Sequence, residues 1–518
     1  MQYARSSLFF LAVLLSAALF AAGRWHDHSP AGSSDVLAGE VRDHRGPVAG
    51  ARVRIQGQSA SNLTDARGRF QLAALAASSG RVTAWKQGYF IGGADVDSRP
   101  LVVRLTPLPE TDNENYEWLA ARPDAKHPKN CGNCHGEIYR EWTVSAHSRS
   151  VNNRHFLNLY DGSDWHGRPG KGWNLLAEHP DGTGVCTACH APTVAFSDPA
   201  YYDLRKATGT TREGVHCDYC HKIADVEPVE FGLTHGRFGF KLLRPEHGQL
   251  SFGPLDDVDR RPDTYAAVYR DSRYCAGCHE GIVFGVHVYS TYSEWLTSPA
   301  RKQGKQCQTC HMAPTGGLMN LAPEHGGIRR DPQSLGNHRF FAGGQAAMLR
   351  QCLKIELHGE VAGDGTAVAI KLTARDVGHR VPTGFADRNL VLVVEAFSRV
   401  GARLNCQPGT PALPRSAGTS LAGLPGKLFA KQLTDFDGRA APFWRARPEL
   451  ADNRLLPASA DSSSYQFGGK AAHLRLRLLH RRFWQEVADS KAWPDNEIVV
   501  LDQTLDFGQA RSLKWSTP

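Results

Sequence analysis

The spacing of apolar and polar residues changes character twice along the chain. Between residues 35 and 108, short alternating runs predict strands: Val48-Ala49-Gly50-Ala51-Arg52-Val53-Arg54-Ile55 alternates, residues 65–68 make a turn, Phe70 and Leu72 alternate again, and residues 101–105 close the stretch. Residues 109–345 are broken by loops rich in Gly, Pro and Asp, such as 161–172 and 252–263. Alternation returns in residues 353–358, 367–374, 390–395 and 474–478, which predicts a β-rich segment over 346–518. The expected fold class is therefore α+β, with a mainly helical and looped middle flanked by two β-rich regions. One further run precedes all of this. Arg5 stands before apolar residues 8–22, and the small Ala21, Ala22 and Gly23 lead into a polar stretch, which predicts an export signal over 1–23 cleaved after Gly23. The run is shorter than the roughly 20 residues that span a bilayer. An uncleaved anchor is the alternative reading.

Chemistry explains what organises the middle region. Cys-x-x-Cys-His occurs five times, as Cys131/Cys134/His135, Cys186/Cys189/His190, Cys217/Cys220/His221, Cys275/Cys278/His279 and Cys307/Cys310/His311. Each is the attachment signature of a c-type haem, in which two thioethers fix the porphyrin and the adjacent histidine takes one axial position on iron. Five haem c groups are expected, and they replace an aliphatic core in organising residues 109–345. Structural zinc is the rival for paired cysteines, but zinc gives no reason for a histidine after every second cysteine. Of the 12 cysteines, only Cys352 and Cys406 stand outside the motifs. In the oxidising compartment that export implies, these two are expected to pair, with two free thiols as the alternative.

The formal net charge of +8 changes meaning once haem is counted. Five haems bring about ten propionates, so much of the excess is internal neutralisation and nucleic-acid binding is not indicated. Leu474-Arg475-Leu476-Arg477-Leu478 reads either as a half-solvated strand or as a docking face for a redox partner.

An internal repeat is legible. Tyr139-Arg140-Glu141-Trp142-Thr143-Val144-Ser145 follows the first motif, and Tyr292-Ser293-Glu294-Trp295-Leu296-Thr297-Ser298 follows the fourth. Both predict a helix whose Tyr and Trp pack on porphyrin. The copies differ at one position that matters, since His147 in the first corresponds to Ala300 in the second. If His135 and His147 share a helix, they are roughly 18 Å apart, whereas axial nitrogens on one iron are only about 4 Å apart. His147 is therefore expected to serve a different haem, and His216, which abuts Cys217, cannot reach around its own porphyrin.

These residues carry two resemblances. Gly46-Pro47-Val48-Ala49-Gly50-Ala51, Thr64-Asp65-Ala66-Arg67-Gly68-Arg69-Phe70 and Gly88-Tyr89 resemble the carboxypeptidase regulatory-like domain, which implies a transthyretin-like β-sandwich over 35–108. The haem motifs, with Glu141 to His147, Gly214-Val215-His216-Cys217, Asn337-His338-Arg339-Phe340 and Gly378-His379-Arg380-Val381-Pro382, resemble bacterial exported multihaem cytochromes c, the group of cytochrome c-554 and the multihaem reductases. That resemblance implies a pentahaem cytochrome domain over 109–345 and makes His147, His338 and His379 distal ligands, the last supplied by the β-rich domain over 346–518. His216, His235, His287 and His325 remain candidates for the other two haems, and Met312 could serve only a haem other than that of His311. His127, His155, His166, His179, His247, His358, His473 and His480 read as surface residues, and His44 belongs to the N-terminal module.

The expected function is an exported electron relay between redox partner proteins, either free or peripherally attached to a membrane or cell surface. A reductase of a small nitrogen or sulfur oxyanion is the alternative, and a surface or filament conductor a third. The related pentahaem nitrite reductases mark their catalytic haem with Cys-x-x-Cys-Lys. Here every motif ends in His, and Lys222 follows His221 without replacing it.

Overall fold

The computed structural model describes residues 36–73, 80–181, 184–194, 202–342, 344–448 and 451–518. The expected export signal, together with His26 and His28, lies outside the described residues. Helix and strand mix as α+β, with short helices in the middle of the chain and sheets towards both ends. Among the described residues no helix is long and apolar enough to cross a membrane.

The N-terminal alternation does build strands. Val36–Arg42 pairs antiparallel with Arg69–Ala73 and parallel with Val102–Arg104. Arg52–Ile55 and Arg81–Trp85 centre a second sheet with Asn62–Leu63 and Gly92–Asp95. In Arg69–Ala73 only Phe70 and Leu72 turn inward, because successive strand side chains face opposite sides. They meet Val41, Val53, Val82 and Val103 in one core.

This module is clamped to the middle region. Arg52 and Arg54 both reach Asp256, at 3.0 and 2.9 Å, and Arg81 donates to Asp259. The Gln56 amide donates to the Asp257 carbonyl at 2.9 Å, and the Gly57 N–H to the Asp257 carboxylate at 2.7 Å. Asp257 also holds Arg330 at 2.9 Å. Its carboxylate therefore joins the module to two stretches of the middle region at once.

The C-terminal strands form two packed sheets. One runs in the order Ala460–Gly468, Gly365–Ala374, Leu353–Ala362, Ser512–Ser516. The other runs Ala451–Asp452, Gly426–Gln432, Asn389–Phe397, His473–Arg481, Glu497–Asp506. Asn389–Phe397 is buried at every residue but the last. One of its faces, with Leu390, Leu392 and Val394, packs into the sandwich. The other, with Val391 and Val393, packs on Leu159, Tyr160 and Leu175 of the middle region. A strand covered on both sides reads as a continuous apolar run, and here that run is Leu390-Val391-Leu392-Val393-Val394. In the neighbouring strand Leu474, Leu476 and Leu478 point inward, while Arg475 pairs with Asp502 at 2.7 Å and Arg477 with Glu395 at 2.9 Å. These arginines are engaged within the sheet, which favours the half-solvated strand over the docking face.

The expected Cys352–Cys406 disulfide is not formed: both thiols are free. Cys352 precedes Leu353, which pairs with Ala374 at one end of a long hairpin. Cys406 bridges Phe467, which pairs with Thr366 near the other end. The strand from Thr366 to Ala374 is roughly 27 Å long, against the limit of about 7 Å between bridged Cα atoms. Counting left-over cysteines cannot see that separation.

Alkylation of the unreduced protein is expected to label both Cys352 and Cys406, and a disulfide-linked peptide containing them would contradict the hairpin geometry. Arg54→Ala is expected to lower the unfolding free energy by about 1–3 kcal/mol, because the buried Asp256 carboxylate loses its less exposed partner. An unchanged melting temperature would show that the clamp contributes nothing.

Candidate haem site

Each motif occupies a short helix: Cys131–Cys134, Gly184–His190, Cys217–Cys220, Arg273–His279 and Cys307–His311. One helical turn puts its two cysteines, three residues apart, on the same face. All ten motif cysteines and all five motif histidines open on one continuous cavity of about 1180 Å³. That exceeds the roughly 300–1,000 Å³ of a single small-molecule pocket.

Four of the motif histidines are oriented by their backbone partners. His135 Nδ1 bonds the Leu321 carbonyl at 2.8 Å, His190 Nδ1 that of Ser150 at 2.7 Å, His221 Nδ1 that of Phe252 at 2.6 Å, and His311 Nδ1 that of Phe341. A carbonyl only accepts, so Nδ1 must carry the proton and Nε2 keeps its lone pair for a metal. Burial holds His279 down to about 3 and lowers His135, His190 and His221, so these rings are neutral, the form that ligates.

Two of the three histidines singled out as distal ligands stand opposite motif histidines. His379 faces His311 with ring centroids 6.1 Å apart and planes at 18°. His147 faces His279 at 6.2 Å and 66°. Axial nitrogens about 4 Å apart, with about 1 Å from each nitrogen to its ring centre, give centroids roughly 6 Å apart. His379 Nδ1 is occupied by the Arg380 carbonyl at 3.0 Å, which again frees Nε2. His147 begins a short turn beyond the helix Gly136–Thr143 and lies against His279 of the fourth motif. The third, His338, lies on the cavity wall, where burial pushes it down to about 3, with the imidazoles of His221 and then His135 opposing its charge. Phe340 links two of these rings, edge-on to His147 at 4.4 Å and to His338 at 6.1 Å. It does so from a left-handed backbone, φ 49°, a costly conformation for a bulky residue.

Gly378, beside His379, has no positive φ, so an unusual backbone angle is not what it supplies. Its role is space: a Cβ there would stand 3.2 Å from Trp295 and 3.4 Å from Ala300. Ala300 is the position that His147 fills in the other copy of the repeat.

The remaining histidines sort differently from their sequence reading. His216 and His235 line the cavity, whereas His287 and His325 do not. His287 instead bonds Glu280 at 2.5 Å. His216 is 1% exposed, and neither ring nitrogen has a hydrogen-bond partner. His155 and His480, read as surface residues, also reach the wall. His155 Nε2 is held by Asp495 at 2.9 Å. His480 is 3% exposed at the end of a strand whose last four residues are all buried, so the alternation that placed it outside had already stopped.

The wall suits an apolar macrocycle with carboxylate edges. It is mostly apolar, and Lys129, Lys305, Arg260, Arg330, Arg388 and Arg482 reach it against Asp218, Asp263 and Asp376. Burial further raises Asp263 to about 7. Motif sulfurs also meet between sites. Cys131 lies within hydrogen-bonding reach of Cys217, Cys275 of Cys307, and Cys189 of Cys278. Lys222 is absent from the wall. Its ammonium is fully buried, pairs with Asp218 one turn earlier, and lies 4.9 Å over the Tyr116 ring.

Residues 120–222 match the family described as cytochrome c7 and related cytochrome c, forming a multihaem domain with three of the five motifs. No curated protein matches the chain by sequence. Among solved structures it is similar to a penta-heme cytochrome c552 from Thermochromatium tepidum, with 22% identity and a TM-score of 0.54, over 73% of this chain and 97% of that one. At that identity the likeness speaks for the fold, which is that of a multihaem c-type cytochrome.

Lys222→Met is expected to destabilise the protein by about 3–5 kcal/mol, because it leaves the buried Asp218 carboxylate without its cation, holding only neutral donors such as the Leu119 N–H. Adding Asp218→Asn is expected to recover part of the loss in calorimetry. Equal melting points for the single variant and the parent would show that the pair is not holding this helix.

Proposed function

We propose that the chain is an exported c-type cytochrome that carries five haems and relays electrons between redox partner proteins. The observation that carries the reading is the surplus of cavity histidines. Besides the five motif histidines, the wall holds His147, His155, His216, His235, His338, His379 and His480, more than the five distal faces need. Bound haem supplies one-electron iron chemistry, and closing both faces with imidazole favours transfer over bond-making while keeping the potential below that of Met/His ligation. The chain's own contribution is to attach, orient and space. Motif helices fix each macrocycle, backbone carbonyls orient the proximal rings, and sulfur contacts set macrocycle edges beside one another. All five motifs end in His, and Lys222, which follows His221, is not on the wall, which speaks against the Cys-x-x-Cys-Lys ligation of nitrite reductases.

In this reading residues 1–23 direct export, and 35–108 form a carboxypeptidase regulatory-like module that braces the 109–345 haem region without chemistry of its own. Residues 346–518 form a β-rich domain that delivers His379. Donor and acceptor proteins dock at exposed haem edges, with the chain either free in the periplasm or peripherally attached to a surface.

Mass and absorbance of the acid-denatured protein are expected to give five covalent haems. The oxidised protein is expected to be low-spin, and His379→Ala to keep all five haems while turning one iron high-spin. Rapid wild-type turnover of nitrite, hydroxylamine or tetrathionate with a simple electron donor would favour a reductase over a relay.

A further inference from the structure

The repeated Tyr-x-Glu-Trp segment does the same mechanical work twice. In the first copy the buried Glu141 carboxylate accepts the backbone N–H of His338 at 2.8 Å. In the second, the buried Glu294 carboxylate accepts the N–H of Arg380, the residue after His379, at 3.0 Å. The tryptophans act in parallel. Trp142 Nε1 donates to the Val215 carbonyl and Trp295 Nε1 to that of Lys305, both at 2.9 Å. Val215 and Lys305 each stand two residues before the first cysteine of a motif, Cys217 and Cys307. Two of the three sulfur contacts obey the same symmetry, first cysteine to first cysteine: Cys131 with Cys217, and Cys275 with Cys307; the third, Cys189 with Cys278, joins motifs two and four outside it.

We infer that the chain contains two copies of a two-haem unit, joining motif one to three and four to five, in which Glu141 and Glu294 position the loop that closes the second haem. His338 then closes the haem of His221 as His379 closes that of His311. This deepens the five-haem reading and rests on it.

The second copy supplies the template, because its imidazoles already face each other at 6.1 Å. In the first copy, motif two and its loops are inserted between the helix and motif three, which hides the symmetry in a linear reading. The physical logic is the same in both. A carboxylate taken out of water needs donors, and a backbone N–H in the ligand loop is a donor that cannot rotate away. The bond fixes the loop beside the second motif, and the tryptophan fixes that motif's incoming chain from the same helix. Glu294 carries additional partners in Arg454, Ser290 and Thr383. Glu141 has only Arg339, at 3.7 Å, as an ionic partner among the described residues. Glu141 is therefore the cleaner position to test.

Haem count by mass comes first, and a count below five overturns the five-haem reading whatever the Glu141 and His338 variants show. With five haems present, Glu141→Ala is expected to turn one of the five irons from low to high spin in electron paramagnetic resonance. Glu141→Gln keeps an oxygen that accepts the His338 N–H and is expected to stay low-spin. A purely electrostatic role would make the two variants alike, and that result overturns the positioning role. His338→Met is expected to raise the potential of one haem, since methionine ligation does so. In a Cys217→Ser/Cys220→Ser background, which lacks the haem of His221, that upward shift is expected to vanish. Its persistence there overturns the assignment. If the double serine variant does not fold, nuclear Overhauser contacts in the wild-type protein decide: contacts from the His338 ring to the haem on Cys217 and Cys220 support it, and contacts to any other haem overturn it.

Discussion

In the proposed five-haem reading, two imidazole nitrogens about 4 Å apart, on opposite sides of one iron, are the constraint that the rest of the structure serves. The chain cannot meet it locally. A histidine next to its own motif is on the wrong side of the ring, and one a few helical turns away is too far. Each opposing ring must come from a remote segment: His147 crosses from the first helix to His279, and His379 crosses from the β-rich end to His311. The surrounding features make those crossings reproducible. Buried carboxylates grip the loops that carry His338 and His379, Gly378 and Ala300 leave room for the second of them, and Phe340 wedges between two rings in a backbone conformation that only a tightly packed neighbourhood sustains.

Such a design carries a large polar inventory into the interior, and the protein balances it by pairing. Glu294 is shared by Arg454, Ser290, Thr383 and the Arg380 N–H, and Arg454 is shared in turn with Asp452. Lys222 is matched by Asp218, and Asp257 by Arg330. Cations that reach the cavity outnumber anions there, the balance expected of a wall facing propionates. Part of the net charge of +8 is in this sense an interior property.

The sequence was most informative where chemistry fixes spacing. Cys-x-x-Cys-His can be read without knowing the fold, because both cysteines and the histidine must serve one porphyrin. Alternation likewise exposed strands such as Arg69–Ala73, whose two faces see different surroundings. It failed for His480, which lies where a strand becomes buried on both sides and alternation no longer reports exposure. The disulfide expectation failed for a related reason, since Cys352 and Cys406 sit near opposite ends of a hairpin whose length only the pairing reveals. The Glu-Trp repeat was visible in the sequence, but its purpose was not. The bonds of Glu141 and Trp142 reach His338 and Val215, far along the chain, and no local pattern encodes them.

The doubly covered strand Asn389–Phe397 has a consequence for how this molecule comes apart. Its Leu390 face belongs to the C-terminal sandwich and its Val391 face to the middle region, so neither side can open without exposing apolar surface on the other. A sandwich cut free would present Val391, Val393, Leu428, Ala430 and Leu479 to water as one contiguous sticky sheet. The two regions therefore behave as a single cooperative folding unit, although the change of pattern near residue 346 divides them on paper. Assembly must obey the same rule, because the C-terminal strands find their final partner only when the middle of the chain has condensed.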